Sequence, residues 1–469
     1  MELSISKAKF TPKVFILVAL ILLTAGMLFG TIGGLQYIVP GFLKEALSFE
    51  KTRPLHVSSV LFWILFASMG AVLTYLKEHT GNKLFSNRLS QILFILFVAS
   101  VIAILIAYCF GVFGGREYWE FPPILSTPII IGWILFLLNF IFSVGTLKNQ
   151  PVYIWMWLTG IVFFLFTFSE SYLWLFSYFN NHVVNDMNIQ WKSYGSMVGS
   201  WNMLIYGSSI FLMTKISGDK SYAYSNKAFI LYFAGLFNLM FNWGHHIYTL
   251  PTQHYVQYIS YSVSMTELLI LGNIIYGWKA SITKAQKYFN RDAYRFLVAA
   301  DVWIFLNLVL AICMSIPAIN VYTHGTHITV AHAMGTTIGI NTMLLLAVCY
   351  DILKDTCISL DPYQKLMKFG FWLANSSLFA FWIALIGAGI LKSKWQMSSD
   401  QIAFSLMMQN LTPFFIVFMI SGALLLIGIL LAIYPFQKSF SLLFNRENRT
   451  SELIFSNSYC NLRICCAII

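Results

Sequence analysis

A chain of 469 residues that is 58% hydrophobic and only 10% charged does not have the composition of a soluble globular protein, in which about 25% of residues are charged. Its net charge of +11 would suit a nucleic-acid binder, but the Lys and Arg residues cluster in short loops between apolar runs, the pattern the positive-inside rule expects. The sequence holds no Gly-rich phosphate loop and no Cys-x-x-Cys-His haem attachment, and its seven cysteines, among them Cys109, Cys313, Cys349, Cys460, Cys465 and Cys466, form no metal or redox pattern.

Apolar runs of about 20 residues, enough to cross a bilayer, recur along the whole length. The first, from Val14 to Pro40, is long and lacks a small-residue cleavage site, so it reads as a retained helix and not a signal peptide. Spans are expected at 14–39, 56–77, 89–113, 125–146, 151–178, 193–215, 226–250, 254–279, 295–319, 325–353, 366–391 and 411–435. Backbone groups in lipid must bond internally, and the short alternating segments of a barrel are absent. The expected fold is therefore an all-α integral membrane bundle of about twelve helices. It divides the chain into an N-terminal segment (1–13), a membrane domain (14–435) and a C-terminal tail (436–469). No internal repeat stands out. If the helices alternate, Lys7, Lys9, Lys13, Lys77, Lys83, Arg88, Lys215, Lys220, Lys227, Lys279, Lys284, Lys287, Arg291, Arg295, Lys438, Arg446 and Arg449 all fall on one side. That side is then cytoplasmic, with both termini on it.

Ionisable residues inside spans are costly and are functional candidates by default. His56 opens the second helix, His245 and His246 close the seventh, and His332 lies two turns into the tenth. All four share one depth, the outer third of the bilayer. With His324 and His327, most of the nine histidines of the chain lie in this layer or its loop. Imidazole is the natural axial ligand of haem iron and a common ligand of copper and non-haem iron. Adjacent histidines on an α-helix point about 100° apart, so both reach one metal only near a helix end. A plain hydrogen-bonding role would suit any one of them, but agreement in depth across three helices favours a metal centre. Glu267 lies mid-membrane on the eighth helix. It reads as a proton-relay or redox-linked acid, or as a neutral acid satisfied by a hydroxyl. Glu170 and Asp301 lie nearer helix ends.

These residues resemble the haem-copper oxidase superfamily, and most of all the catalytic subunit of bacterial nitric oxide reductase. The likeness rests on Arg53-Pro-Leu-His56, Gly244-His245-His246, Tyr322-Thr-His-Gly-Thr followed by Ala331-His332, Gly115-Arg-Glu-Tyr-Trp-Glu120 and Ser264-x-x-Glu267. It spans roughly residues 15–435. It implies His56 as an axial ligand of a low-spin haem b and His332 as the proximal ligand of a high-spin haem b. It implies His245 and His246 as ligands of a non-haem metal, iron in the reductases and copper in the oxygen reductases. Glu267 would be an acid near the active site and Glu120 a carboxylate associated with calcium. The implied reaction takes two nitric oxide molecules, two electrons and two protons to nitrous oxide and water. The protein would supply ligands, polarity and protons.

The chain departs from that pattern twice. Where the family has His-x-His in the tenth helix, this chain reads His332-Ala-Met334. Met334 either ligates the low-spin iron, raising its potential relative to two histidines, or only packs there. Around the sixth helix the family has a third metal histidine and a glutamate. Here Tyr194 stands near the missing histidine and Asn202 near the missing glutamate, and both are candidates for the catalytic site. Three functions compete: a nitric oxide reductase-like enzyme, or one resembling the putative nitric oxide dismutases; a terminal oxygen reductase; and a non-catalytic haem relay or gas sensor. The expected setting is a bacterial inner membrane. Expected partners are the lipid bilayer, a membrane-anchored cytochrome c subunit or another electron donor, and a small gaseous substrate, with no nucleic acid.

Overall fold

A computed structural model describes residues 11–265, 283, 286–287, 290–354 and 360–454, with side chains as far as Ser439. Among the described residues there is no β-strand; one bridge joins Arg116 to Trp119. The principal helices are α1 (Lys13–Gln36), α2 (Phe49–His79), α3 (Asn87–Cys109), α4 (Ser126–Val144), α5 (Val152–Glu170) and α6 (Val183–Ser217). They continue with α7 (Asn226–Phe241), α8 (residues 254–265), α9 (Arg291–Ser315), α10 (His327–Leu353), α11 (Gln364–Met397) and α12 (Thr412–Ile454).

Every span expected from the sequence thus overlaps a described helix, and the bounds move. Among the described residues nine helices are long and apolar enough to cross a membrane; α6, α7 and α8 are not among them. The reasons are local. The 35 residues of α6 carry Asn, Gln, Lys, Ser and Gly among their apolar positions, which lowers its hydropathy. At 16 residues α7 is short, because the chain tightens after Phe241 into a 3₁₀ turn, Asn242–His246. The rest of the span expected at 254–279, Glu267 included, lies outside the described residues. Helix α2 begins at Phe49, seven residues earlier than expected, so His56 sits about two turns inside it and does not open it.

In lipid no hydrophobic force drives helix against helix, so packing, small residues and buried hydrogen bonds hold such a bundle together. The α11–α12 contact is built this way. A Cβ at Gly428 would lie 2.5 Å from the Ala374 nitrogen, and one at Gly370 would lie 2.7 Å from the Ala432 nitrogen. Between α1 and α2, the bare face of Gly30 leaves room for the His56 ring, which a Cβ there would meet at 2.7 Å.

One buried ion-pair cluster joins the ends of three helices. Lys215 at the end of α6 bonds Asp351 of α10 at 2.9 Å and Glu78 of α2 at 3.1 Å. Lys354 bonds the other Asp351 oxygen at 2.9 Å, and Tyr75 donates its hydroxyl to Asp351 at 3.1 Å. The Asp351 side chain is only 2% exposed, so it depends on these partners, whereas Lys215 is 36% exposed. Breaking a fully buried pair costs about 3–5 kcal/mol. Lys215→Met is expected to cost less, about 1–3 kcal/mol, because Lys354 and Tyr75 remain. Denaturant unfolding in detergent checks this: a change under a few tenths of a kcal/mol would mean the contact is an ordinary surface pair.

Candidate haem and metal centre

At the opposite end of the bundle the histidines converge. Their supports differ in kind. His56 is held by α2 against α1: its Nδ1 lies 2.7 Å from the Gly26 carbonyl oxygen. A carbonyl can only accept, so Nδ1 carries the proton and Nε2 is left with a free lone pair. A ring nitrogen bonded to a carbonyl with the other nitrogen free is the usual state of a metal-ligating histidine.

His245 and His246 lie on the 3₁₀ turn that follows α7. The tight turn brings their ring centroids to 4.2 Å, closer than side chains about 100° apart on an α-helix would stand. His245 Nδ1 lies 3.1 Å from Asn242 Oδ1, which also accepts from the Ser264 hydroxyl at 2.5 Å. Asn320 donates to the His245 carbonyl at 3.1 Å. The bond to Asn242 again fixes one ring nitrogen and frees the other. His246 is stacked on Trp191 of α6, with centroids 4.8 Å apart and planes 10° apart. His324, just before α10, touches both rings, 5.8 Å from His246 and 5.9 Å from Trp191. Nδ1 of His246, Nδ1 of His332 and Nε2 of His324 are buried without a hydrogen-bond partner. Buried nitrogens left so are costly in an empty site and natural ligands in a filled one.

Trp191, His245, His246 and His332 line one cavity of about 300 Å³, together with Tyr118, Tyr194, Asn202, Asn307 and Ser264. Of the site residues expected from the sequence, His245, His246, His332, Tyr194 and Asn202 come together here. His56 and Met334 are not in the lining, as suits a separate low-spin site. Tyr194 meets Tyr118 edge to face at 5.5 Å, and burial pushes the Tyr118 phenol up to about 12. Asn202 accepts from the Asn341 amide at 2.9 Å.

Glu120 stands outside the helices. Arg53 binds its Oε1 at 2.8 Å and reaches Glu117 with its other amine at 2.5 Å. Burial pushes the Glu120 carboxyl up against the pull of that guanidinium, and Oε2 is buried without a partner. Glu170, one of the weaker candidates, is tied to Lys192 of α6. Trp191, Asn242 and Asn341 are contributors that sequence reasoning missed, and His324 was placed in the layer without a role. The one available signal was Trp191, three residues before Tyr194 on the same helix face.

The side chains suit haem better than they suit the second metal. His56 and His332 each offer a nitrogen for an iron. For the other centre, α6 brings no third histidine or carboxylate into the cavity lining, its one carboxylate, Asp186, being paired with Arg116, and among the described residues no group of three or more His, Cys, Asp or Glu is arranged to hold a metal. Two histidines, His245 and His246, fit such a metal as partial ligands.

A bundle of membrane helices with histidines gathered on one cavity near one face defines the haem-copper oxidase subunit I fold. The chain belongs to the family of cytochrome c and quinol oxidase polypeptide I, which it matches over residues 12–424. It is 26% identical over 463 residues to a nitric oxide reductase subunit of Stutzerimonas stutzeri, covering 92% of this chain and 95% of that one. It is 23% identical over 421 residues to the Cbb3-type cytochrome c oxidase subunit CcoN1 of the same organism, covering 82% and 85%. A solved haem-copper terminal oxidase dimer shares its fold, with a TM-score of 0.73 at 15% identity over 91% of this chain and 84% of the other. The chain is a multi-span membrane protein of that family, whose members carry haem and metal.

Proposed function

We propose that this protein is a membrane oxidoreductase that converts nitric oxide to nitrous oxide at a high-spin haem b paired with a non-haem metal. The observation that carries the reading is the meeting of His332 with His245 and His246 on one cavity, beside a separate His56 whose free nitrogen is preset by Gly26. The similarity to a nitric oxide reductase over nearly the whole of both chains supports the substrate. A bound haem and its partner metal would supply the redox chemistry that reduces two nitric oxide molecules. The side chains do the rest. His332 would hold the haem, and His245 and His246 would hold the metal, iron or copper, with Asn242 orienting one and Trp191 the other. Tyr194 and Asn202 present polar groups to the cavity. Glu267 is assigned the supply of protons, and Glu120, through its free Oε2, a calcium ion. Electrons come from a separate donor, in our reading a membrane-anchored cytochrome c subunit, and the setting is the bacterial inner membrane. Purified protein, reduced and mixed with nitric oxide, is expected to release nitrous oxide. Absence of turnover with haem and metal both present would sink the reading, and oxygen uptake in its place would favour the oxygen reductase alternative.

We propose that Met334 would hold the low-spin haem together with His56. Helices α2 and α10 run side by side in the same direction and are tied at two levels, Trp63 to Thr342 at 3.1 Å and Tyr75 to Asp351 at 3.1 Å. Seven residues before Trp63 is His56, and eight before Thr342 is Met334, so the two stand at one depth on neighbouring helices. Met334→His is expected to lower the low-spin potential by exchanging thioether for imidazole. Reduced-minus-oxidised spectra and a redox titration measure it; an unchanged low-spin signal means Met334 only packs.

A further inference from the structure

Asn202 reaches the cavity from α6, and its amide is not free to turn. Asn341, fully buried in α10, donates to the Asn202 carbonyl oxygen at 2.9 Å. With that oxygen held by Asn341, the group Asn202 turns to the cavity is its amide NH₂, which carries two donors.

The clasp depends on an irregularity in α10. From Gly335 to Thr342 the helix is π-helical, immediately after His332 and Met334. The wider turn spreads its polar side chains to three neighbours: Thr336 to Asn307 of α9, Asn341 to Asn202 of α6, and Thr342 to Trp63 of α2. Glycines permit it, since a Cβ at Gly339 would lie 2.5 Å from Trp303 of α9. Single stretches of π-helix of this kind are concentrated at functional sites.

We propose that Asn202, locked by Asn341, donates an N–H hydrogen bond to the diatomic ligand held in the cavity. This deepens the function proposed above and rests on it. The chemistry favours a neutral donor. A diatomic such as nitric oxide is itself neutral, and negative charge gathers on its oxygen as electrons enter. A fixed N–H aimed at that oxygen stabilises the charge without reorganising. A carboxylate in the same place would repel it. Asn202 is thereby a catalytic residue, because it touches the substrate, and Asn341 is a positioning residue, because it acts through Asn202.

Carbon monoxide bound to the reduced protein is the probe, read by its C–O stretching band in the infrared. An N–H donor to the ligand oxygen lowers that frequency. Asn202→Leu is expected to move the band up. Asn341→Leu, which frees the amide to rotate, is expected to broaden the band and move it up in part, with haem and metal content and the low-spin spectrum unchanged in both. Bands at the wild-type position in both variants, with haem content intact, overturn the proposal. A downward shift overturns it too, because it would mean that the Asn202 oxygen faces the ligand. Wild-type protein with no carbon monoxide band fails differently: the high-spin haem itself is then wrong, and the proposal falls with it. If Asn202→Leu does not retain haem, Asn341→Leu decides by itself.

Discussion

His332→Ala should strip one haem from the protein and leave the other. His332 enters the cavity from α10 with a buried nitrogen that no protein group satisfies. His56 lies in a different environment, against Gly26 and Gly30 of α1, and outside the cavity lining. The two sites therefore fail independently. Loss of a direct iron ligand should exceed the roughly 10–100-fold losses typical of removing an outer-shell partner. Haem per polypeptide is expected to fall by half, the high-spin signal to disappear, and nitric oxide turnover to drop to background, while the low-spin spectrum persists. His56→Ala is the mirror test and should remove the low-spin signal instead. Full haem content in His332→Ala would refute the ligand assignment. Simultaneous loss of both haems in both variants would mean that the sites are not independent.

Gly428→Val is expected to be strongly damaging although it lies away from the histidines. Any Cβ at position 428 falls 2.5 Å from the Ala374 nitrogen and 2.8 Å from its Cα, with the Gly370 oxygen at 2.9 Å. These are backbone atoms of a helix and cannot swing aside. The only relief is to push α12 away from α11, which loosens the small-residue contact that holds the pair in lipid. Overpacking typically costs about 1–3 kcal/mol, and backbone clashes stand at the upper end. A lower thermal midpoint in detergent and poorer yield should follow. Gly41→Val, where nothing lies within 4 Å, is the control and should behave as wild type. Equal stability of the two variants would mean that α11 and α12 do not approach as described.

The sequence and the structure contribute different parts of this picture. Membrane insertion and the positions of most helices are legible in the sequence because they follow from transfer free energy along the chain, a local property. Counting residues along a helix measures height, which is enough to expect His245, His246 and His332 near one another, but it sets His56 at the start of a helix that begins seven residues earlier. The irregular places were not legible. Helix α7 was expected to run on to 250 but gives way after Phe241 to a 3₁₀ turn, and that turn is what sets His245 beside His246. The π-helical stretch after Met334 looks in sequence like any other Gly- and Thr-containing run. Both depend on what the neighbouring helices present: Ser260 and Ser264 to Asn242, and Asn202, Asn307 and Trp63 to α10.

Composition and periodicity by themselves determined that this chain is a helical membrane protein. They could give each side chain a height, but not an azimuth around the bundle. That Trp191 stacks on His246, that Asn341 holds Asn202, and that His324 joins the cluster are matters of azimuth, decided only when the helices pack. In lipid that packing is selected by close-fitting glycines and buried hydrogen bonds between residues distant in the chain.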